Sequence, residues 1–267
     1  MWLAIFTLQP HKEERFMYPA YPFLALNAAL ALHTLLTLFG STDLKRSPII
    51  ARIPAKLKLA LVTLTLAASA TIGAARIWGL HAGYHAPLSV YTPLADPTIA
   101  GPGDTVCLGK DWYRFPTSFF LPRGMRAKFV RSEFRGLLPG EFSEARTGFG
   151  FWSGTWLPTT GMNGRNEEDV GKYTDLRGCV FLVDSHFPER RSGGGGGEEE
   201  EGGRGLPPNE PDYSKDVERW EEVLCLPFLD AERTHFLARA LWVPDWEVVP
   251  ERFRRRWGKH CLLKQKK

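Results

Sequence analysis

Two long uncharged runs limit what this chain can fold into. Phe16–Gly40 is 25 residues without an Asp, Glu, Lys or Arg. At about 1.5 Å per residue, a helix of that length crosses a hydrocarbon core of about 30 Å. Leu59–Ala75 is a second such run, extended to about Leu80 if Arg76 stretches its stem toward the interface. Between them, STDLKRSPIIARIPAKLK carries Lys45, Arg46, Arg52, Lys56 and Lys58 against one acid, Asp43. Short loops this basic stay cytoplasmic. The pattern predicts two transmembrane helices joined by a cytosolic loop at 41–58, with both outer ends on the opposite side. Two buried core helices are the alternative, but core helices rarely run so far without a charge.

The charge is partitioned between the two parts of the chain. The net charge is +4, yet residues 1–84 hold 8 Lys/Arg and 3 Asp/Glu, while residues 85–267 hold 26 and 27. The excess is therefore the topology signal of the membrane segment, and the polar part is nearly neutral. No nucleic-acid partner is expected from such a balance. The basic stretch ERFRRRWGK near the C-terminus reads as a solvated or headgroup-facing tail.

All four cysteines, Cys107, Cys179, Cys225 and Cys261, follow the second run. The topology places them in an oxidising lumen, where disulfides persist. Four thiols allow three pairings, among which sequence does not choose, and buried free thiols are the plain alternative. No Cys/His spacing matches a zinc site, so no metal is expected.

Beyond residue 84 the texture changes. Short strand-like pieces, TVCLGK, RAKFVRSEF and CVFLVDSHF, are separated by Pro and Gly turns. The Gly/Glu-rich stretch at about 190–211 has almost nothing to bury and reads as a flexible insertion. In YSKDVERWEEVLCLPFL, Val217, Trp220, Val223 and Leu224 fall at helical spacing. FLDAERT, with Asp230 as a cap, is expected to join that helix to a strand, LARALWVP. The expected architecture is two transmembrane spans over 16–84 and a small mixed α/β lumenal domain over 85–267.

The chain's densest charge cluster sits at the mouth of the first span: His11, Lys12, Glu13, Glu14 and Arg15, in PHKEERFMYP. On the non-cytoplasmic side, Lys12 and Arg15 with His11 lie at the depth of a lipid-borne phosphate, which Arg and Lys hold well. Glu13 and Glu14 would orient the bases or bond sugar hydroxyls. The plain alternative is an interfacial anchor marking the end of the span. KDWYRFPTSFF can present Trp112, Tyr113 and Arg114 to an oligosaccharide, although core packing with one salt bridge is the plainer reading. His33, inside the first span, needs a partner or a lipid-channel position to offset its cost.

HKEERFMYPAYP resembles the signature of endoplasmic-reticulum mannosyltransferases that use dolichyl-phosphate-mannose, within the multi-pass GT-C superfamily. VCLGKDWYRFPTSFFLP, SEFRGLLPGEF, MNGRNEEDVGKYTDLRGCVFLVD and LPFLDAERT are similar to the C-terminal region of the α-1,2-mannosyltransferases that extend the lipid-linked oligosaccharide of N-glycosylation. The likeness runs from Met1 to about Pro244; the Gly/Glu-rich stretch and the basic tail look particular to this chain.

The resemblance implies an endoplasmic-reticulum membrane enzyme whose spans form the C-terminal end of a multi-pass GT-C fold, with its C-terminal domain in the lumen. It implies dolichyl-phosphate-mannose and lipid-linked oligosaccharide as partners, with no cofactor. His11, Lys12, Glu13, Glu14 and Arg15 match the family's membrane-face motif and are the expected substrate-binding residues. The family's catalytic acid has no counterpart here. Residues 1–15 read as the end of an incomplete helix followed by the motif, so this chain alone is expected to be inactive. Two other readings stand beside this one. The first is a non-catalytic two-helix membrane protein with a lumenal binding domain. The second is a sister mannosyltransferase of the GPI-anchor or N-glycan pathway.

Overall fold

The computed structural model describes residues 4, 5, 8, 14–40, 52–148, 152–156, 158, 161–188, 209–244 and 246–266. Most of the Gly/Glu-rich stretch lies outside them. The chain divides into two compact units, Met1–Ala74 and Ala75–Lys267.

The first unit is helical. A 3₁₀ turn, Glu14–Ala20, leads into α1, Tyr21–Gly40. The helix α2, Ala55–Tyr84, starts in this unit and is 30 residues long, or about 45 Å. Both helices are long and apolar enough to cross a membrane. No residue of α1 is buried against protein, and Leu24, Leu26, Leu30, Leu35 and Leu36 are all exposed. Such a helix is stable where the surroundings are as apolar as its leucines. Its hydroxyls are satisfied internally. Thr34 and Thr37 donate to the carbonyls of Leu30 and His33 at 2.8 and 2.7 Å, and Thr65 and Thr71 of α2 to Leu61 and Ala67 at 2.9 and 2.8 Å. His33 lies on the exposed surface of α1.

The second unit is built on a mixed five-stranded sheet. Its strands are β1 (Thr105–Leu108), β2 (Arg126–Phe129), β5 (Phe181–His186), β6 (Trp220–Leu229) and β7 (Trp257–Gln265), in spatial order β2-β1-β5-β7-β6. β1 is parallel to both β2 and β5, whereas β7 runs antiparallel to β5 and β6. A separate antiparallel pair, β3 (Ser143–Gly148) and β4 (Trp152–Trp156), forms the second sheet.

Both faces of the large sheet are covered, so its central strands are apolar on both sides rather than alternating. Val106, Leu108, Phe181, Val183 and Leu262 pack on one face with Val90, Tyr91 and Leu94. These last three come from the short helix α3, Ala86–Ser89, and the turns after it. Cys107, Leu182, Cys261 and Leu263 pack on the other face with Val130 and Trp220. The C-terminal turns of α2 join this unit through two small residues. Gly79 faces the Leu241–Trp242 backbone, a Cβ there lying 3.0 Å from the Trp242 nitrogen, and Gly83 faces Leu229. The Trp242 amide donates to the Ala75 carbonyl at 2.9 Å.

Three elements differ from the sequence reading. The segment expected to be a helix from its Val217, Trp220, Val223 and Leu224 spacing is the strand β6. Its register shifts between Glu222 and Leu224. Trp220 packs on one face, and from the bulge onward Val223 and Leu226, three residues apart, share the other, giving a strand whose apolar residues do not follow a period of two. LARALWVP is not a strand: Phe236–Ala240 forms the short helix α4, whose first turn is capped by the His235 ring. The basic tail leads into β7, where Gly258, His260, Cys261, Leu262 and Leu263 are buried at the middle of the sheet. The expected strands at 105–108, 126–129 and 181–186 are present.

All four cysteines are paired, Cys107 with Cys179 and Cys225 with Cys261. The second bridge joins directly opposed residues of β6 and β7. The first spans 72 residues and ties β1 to the approach to β5. Closing a loop of that size in the unfolded chain is worth about 4 kcal/mol. Cys107→Ser with Cys179→Ser should therefore lower the urea concentration at which the Ala75–Lys267 unit becomes protease-sensitive in membranes. Coincident midpoints for the variant and the parent would show that the bridge contributes nothing.

Candidate functional site

The site the sequence pointed to first is only partly described. Glu14 and Arg15 open the 3₁₀ turn that leads into α1, and His11, Lys12 and Glu13 lie outside the described residues.

Within the Ala75–Lys267 unit, the chain builds a cleft of about 360 Å³ walled by aromatic rings. Tyr84 at the end of α2 and Pro87 in α3 form one side. Tyr113 and Arg114 enter from the 3₁₀ turn Trp112–Arg114, and Phe187 follows directly after β5. Phe228 and Leu229 end β6, with Ala231 and Glu232 in the turn beyond. The Phe228 ring is the hub. Tyr84 meets it edge-on with centroids 5.9 Å apart, and Phe187 lies 6.2 Å away. The Arg114 guanidinium sits 4.8 Å from the Phe228 centroid and 4.7 Å from that of Tyr113.

The FLDAERT segment supplies four of these residues by a tight turn. Asp230, buried, accepts from the Glu232 amide at 3.1 Å, and its own amide donates to the Arg256 carbonyl at 2.9 Å. Asp230 thus caps a turn between β6 and α4, rather than one between a helix and a strand.

Beneath Arg114 lies a layer of buried polar groups. Arg114 is ion-paired with Asp111 and reaches the Ser185 hydroxyl at 3.5 Å. Lys110 donates to Asp184 at 3.0 Å, and the other Asp184 oxygen accepts from the Tyr213 amide at 2.9 Å. His186 pairs with Asp212, which also accepts from Ser214 at 2.6 Å. Burial alone would raise the Asp212 pKa, but the bonds from Ser214 and His186 outweigh it and the net shift is down. Burial pushes Asp184 up to about 7 despite the pull of Lys110. Burial likewise drives His260 down to about 4, Asp111 opposing.

Ser185 and His260 lie 2.8 Å apart, a spacing that suits a nucleophile and its base. Both are buried, however, and His260 Nε2 has no hydrogen-bond partner among the described residues. Among the described residues no third group bonds the ring, so the pair lacks the orienting partner that a nucleophile and base use. Glu222, Cys225 and Cys261 are close enough to suggest a metal site. The two sulfurs are joined in a disulfide and offer no thiolate.

The KDWYR reading holds in part. Trp112 packs on the core with its ring 4.4 Å from Phe134, and Arg114 makes the expected salt bridge. Tyr113, 60% exposed, instead turns into the cleft. Sequence reasoning missed Tyr84, Phe187, Phe228 and Glu232. Two of the quoted motifs, KDWYRFPTSFF and LPFLDAERT, supply most of the cleft, and their aromatic–charge pairings were the available signal.

The two buried titrations oppose each other. Unfolding returns His260 to about 6.5, so the unfolded chain binds a proton the native one refuses, and stability falls as pH drops from 6.5 toward 4. Asp184 works the other way. Between the ordinary aspartate value of 3.8 and about 7 the native state holds the extra proton, so stability rises as pH drops. The parent should show a shallow profile between pH 6.5 and 4.5. Asp184→Asn removes one side of the balance and should lose on the order of 1 kcal/mol per pH unit across that range. Parallel urea-midpoint profiles for the two proteins would refute the assignment.

Comparison with known proteins places the chain. The model of the Alg9-like mannosyltransferase family matches residues 1–122. The chain is 37% identical over 268 residues to the α-1,2-mannosyltransferase Alg9 of Schizosaccharomyces pombe, covering 100% of this chain and 42% of that protein. It is 36% identical over 256 residues to the α-1,2-mannosyltransferase ALG9 of Homo sapiens, covering 91% and 37%. For ALG9 of Saccharomyces cerevisiae the figures are 35% over 254 residues, 91% and 39%. The alignment with the S. pombe protein runs through the basic tail as well. The chain spans about two fifths of the length of these relatives, in their C-terminal part. No solved structure matches. Over residues 1–122 the chain matches the Alg9-like mannosyltransferase family, and over its whole length it is similar to the C-terminal part of proteins named as α-1,2-mannosyltransferases.

Proposed function

We propose that this chain serves, as the part it matches in its relatives, a mannosyltransferase that transfers mannose in α-1,2 linkage from dolichyl-phosphate-mannose to the lipid-linked oligosaccharide precursor of N-glycosylation. The observation that carries the proposal is the similarity, along the whole of this chain, to about two fifths of a protein named as an α-1,2-mannosyltransferase. The reaction is set in the endoplasmic-reticulum membrane, with the spans forming the end of a multi-pass GT-C fold and the sheet domain in the lumen. Two features support that orientation: the basic loop between the spans and two disulfides, which persist in an oxidising compartment.

The chemistry needs a base to take the acceptor hydroxyl proton and positive charge to stabilise the departing lipid phosphate. Lys12 and Arg15, with His11, would hold that phosphate at the mouth of the first span, while Glu13 and Glu14 orient them or bond sugar hydroxyls.

A chimera in which this chain replaces the matching part of the S. pombe relative should restore mannose addition in a strain lacking that relative. Chromatography of the lipid-linked oligosaccharides reads the outcome. Arg15→Ala in the chimera should lower transfer at least tenfold while leaving membrane insertion intact, as expected for a charge-assisted phosphate contact. A fully inserted chimera that adds no mannose would contradict the activity. Unchanged transfer with Arg15→Ala would return the cluster to an anchoring role.

A further inference from the structure

We propose that the aromatic cleft of the Ala75–Lys267 unit is a binding subsite for a neutral mannose-rich oligosaccharide, a branch of the acceptor rather than the phosphate-bearing donor. The identity of the glycan rests on the mannosyltransferase reading; the cleft itself rests on geometry. Its volume of about 360 Å³ falls within the range of about 300–1,000 Å³ typical of small-ligand sites. Its walls are chiefly rings, and Tyr113 stands 60% exposed at the side of it. Pyranose rings present flat C–H faces that pack on aromatic faces, and their hydroxyls bond charged groups at the rim. Arg114 and Glu232 provide a donor and an acceptor there.

The electrostatics select among ligands. The Arg114 charge is matched by Asp111 beneath it, Arg239 and Asp230 act with opposite charges at the Tyr84 wall, and Glu232 adds a carboxylate to the lining. A phosphate would meet no net positive charge, whereas an uncharged polyol needs none. Arg114 is also fixed before any ligand arrives, by Asp111 and Ser185 below and by the Phe228 and Tyr113 rings beside it. A guanidinium already held in one place loses little freedom when a sugar binds. Donor phosphate and acceptor glycan would thus be recognised by different residues, the opening cluster and this cleft.

The test is saturation-transfer NMR on the detergent-solubilised full chain, with a free mannose-rich oligosaccharide carrying neither lipid nor phosphate as probe. The parent should transfer saturation to the probe. Tyr113→Ala should weaken binding about tenfold, the scale of losing one stacked ring. Glu232→Gln, nearly isosteric, should weaken it without disturbing packing. Phe119→Ala, at a residue 97% exposed and outside the cleft, should bind as the parent does. Retention of both disulfides on non-reducing gels verifies that each variant folds. Absence of probe binding by the parent, parent-like binding by both cleft variants, or displacement of the probe by inorganic phosphate would each overturn the proposal. The outcome is separable from that of the chimera, since binding needs no transfer and transfer can persist when the subsite assignment fails.

Discussion

The Ala75–Lys267 unit depends on the placement of β7 between β5 and β6. This last strand pairs with β5 from Lys259 to Lys264 and with β6 from Trp257 to Gln265. It joins the parallel half of the sheet to the antiparallel half, and the Cys225–Cys261 bridge fixes its register against β6. The same register shapes the cleft. Phe228 lies opposite Gly258, and a side chain at Gly258 would collide with the His186 carbonyl and the Phe187 ring. A glycine there lets Phe187 lie close beside Phe228, and together they form one wall of the cleft.

The buried ion pairs have a second role. Lys110–Asp184 fastens the segment after β1 to the adjoining strand β5, while Arg114–Asp111 lies within that segment and Arg114 also reaches Ser185 of β5. Removing one partner of such a pair leaves an uncompensated buried charge, at a cost of about 3–5 kcal/mol. Apolar replacements of similar volume would cost less, so these pairs are better understood as positioning devices than as sources of stability. What they position is Arg114, whose guanidinium emerges between two rings at the cleft.

The two long apolar helices and three strands were legible because each rests on a local pattern: unbroken apolar length for the helices, β-branched and aromatic runs for β1 and β5, and alternation for β2. The strand β6 was not, because its bulge at Glu222–Leu224 breaks the alternation by one residue and leaves a spacing that imitates a helix. The role of β7 was hidden by its basic approach, Arg252–Arg256, which is a local property, while its burial comes from pairing with segments 28 or more residues away. Cysteine pairing is likewise a consequence of topology, which spacing does not encode. For the cleft, the motifs were visible in sequence, but their convergence was not. Tyr113 and Phe228 are far apart in the chain and meet only through the sheet order.

Phosphate-side recognition by the opening cluster, a disulfide-bonded sheet and a glycan cleft form one account only if the sheet domain and the Lys12–Arg15 segment share the non-cytoplasmic side. Protease protection in sealed microsomes tests this most directly, with epitopes placed in the 41–51 segment and after Lys267. The account predicts that the C-terminal epitope is shielded until detergent is added, while the epitope between the spans is lost at once. Loss of the C-terminal epitope without detergent would contradict it, placing the domain in the reducing cytosol, away from lumenal glycan assembly.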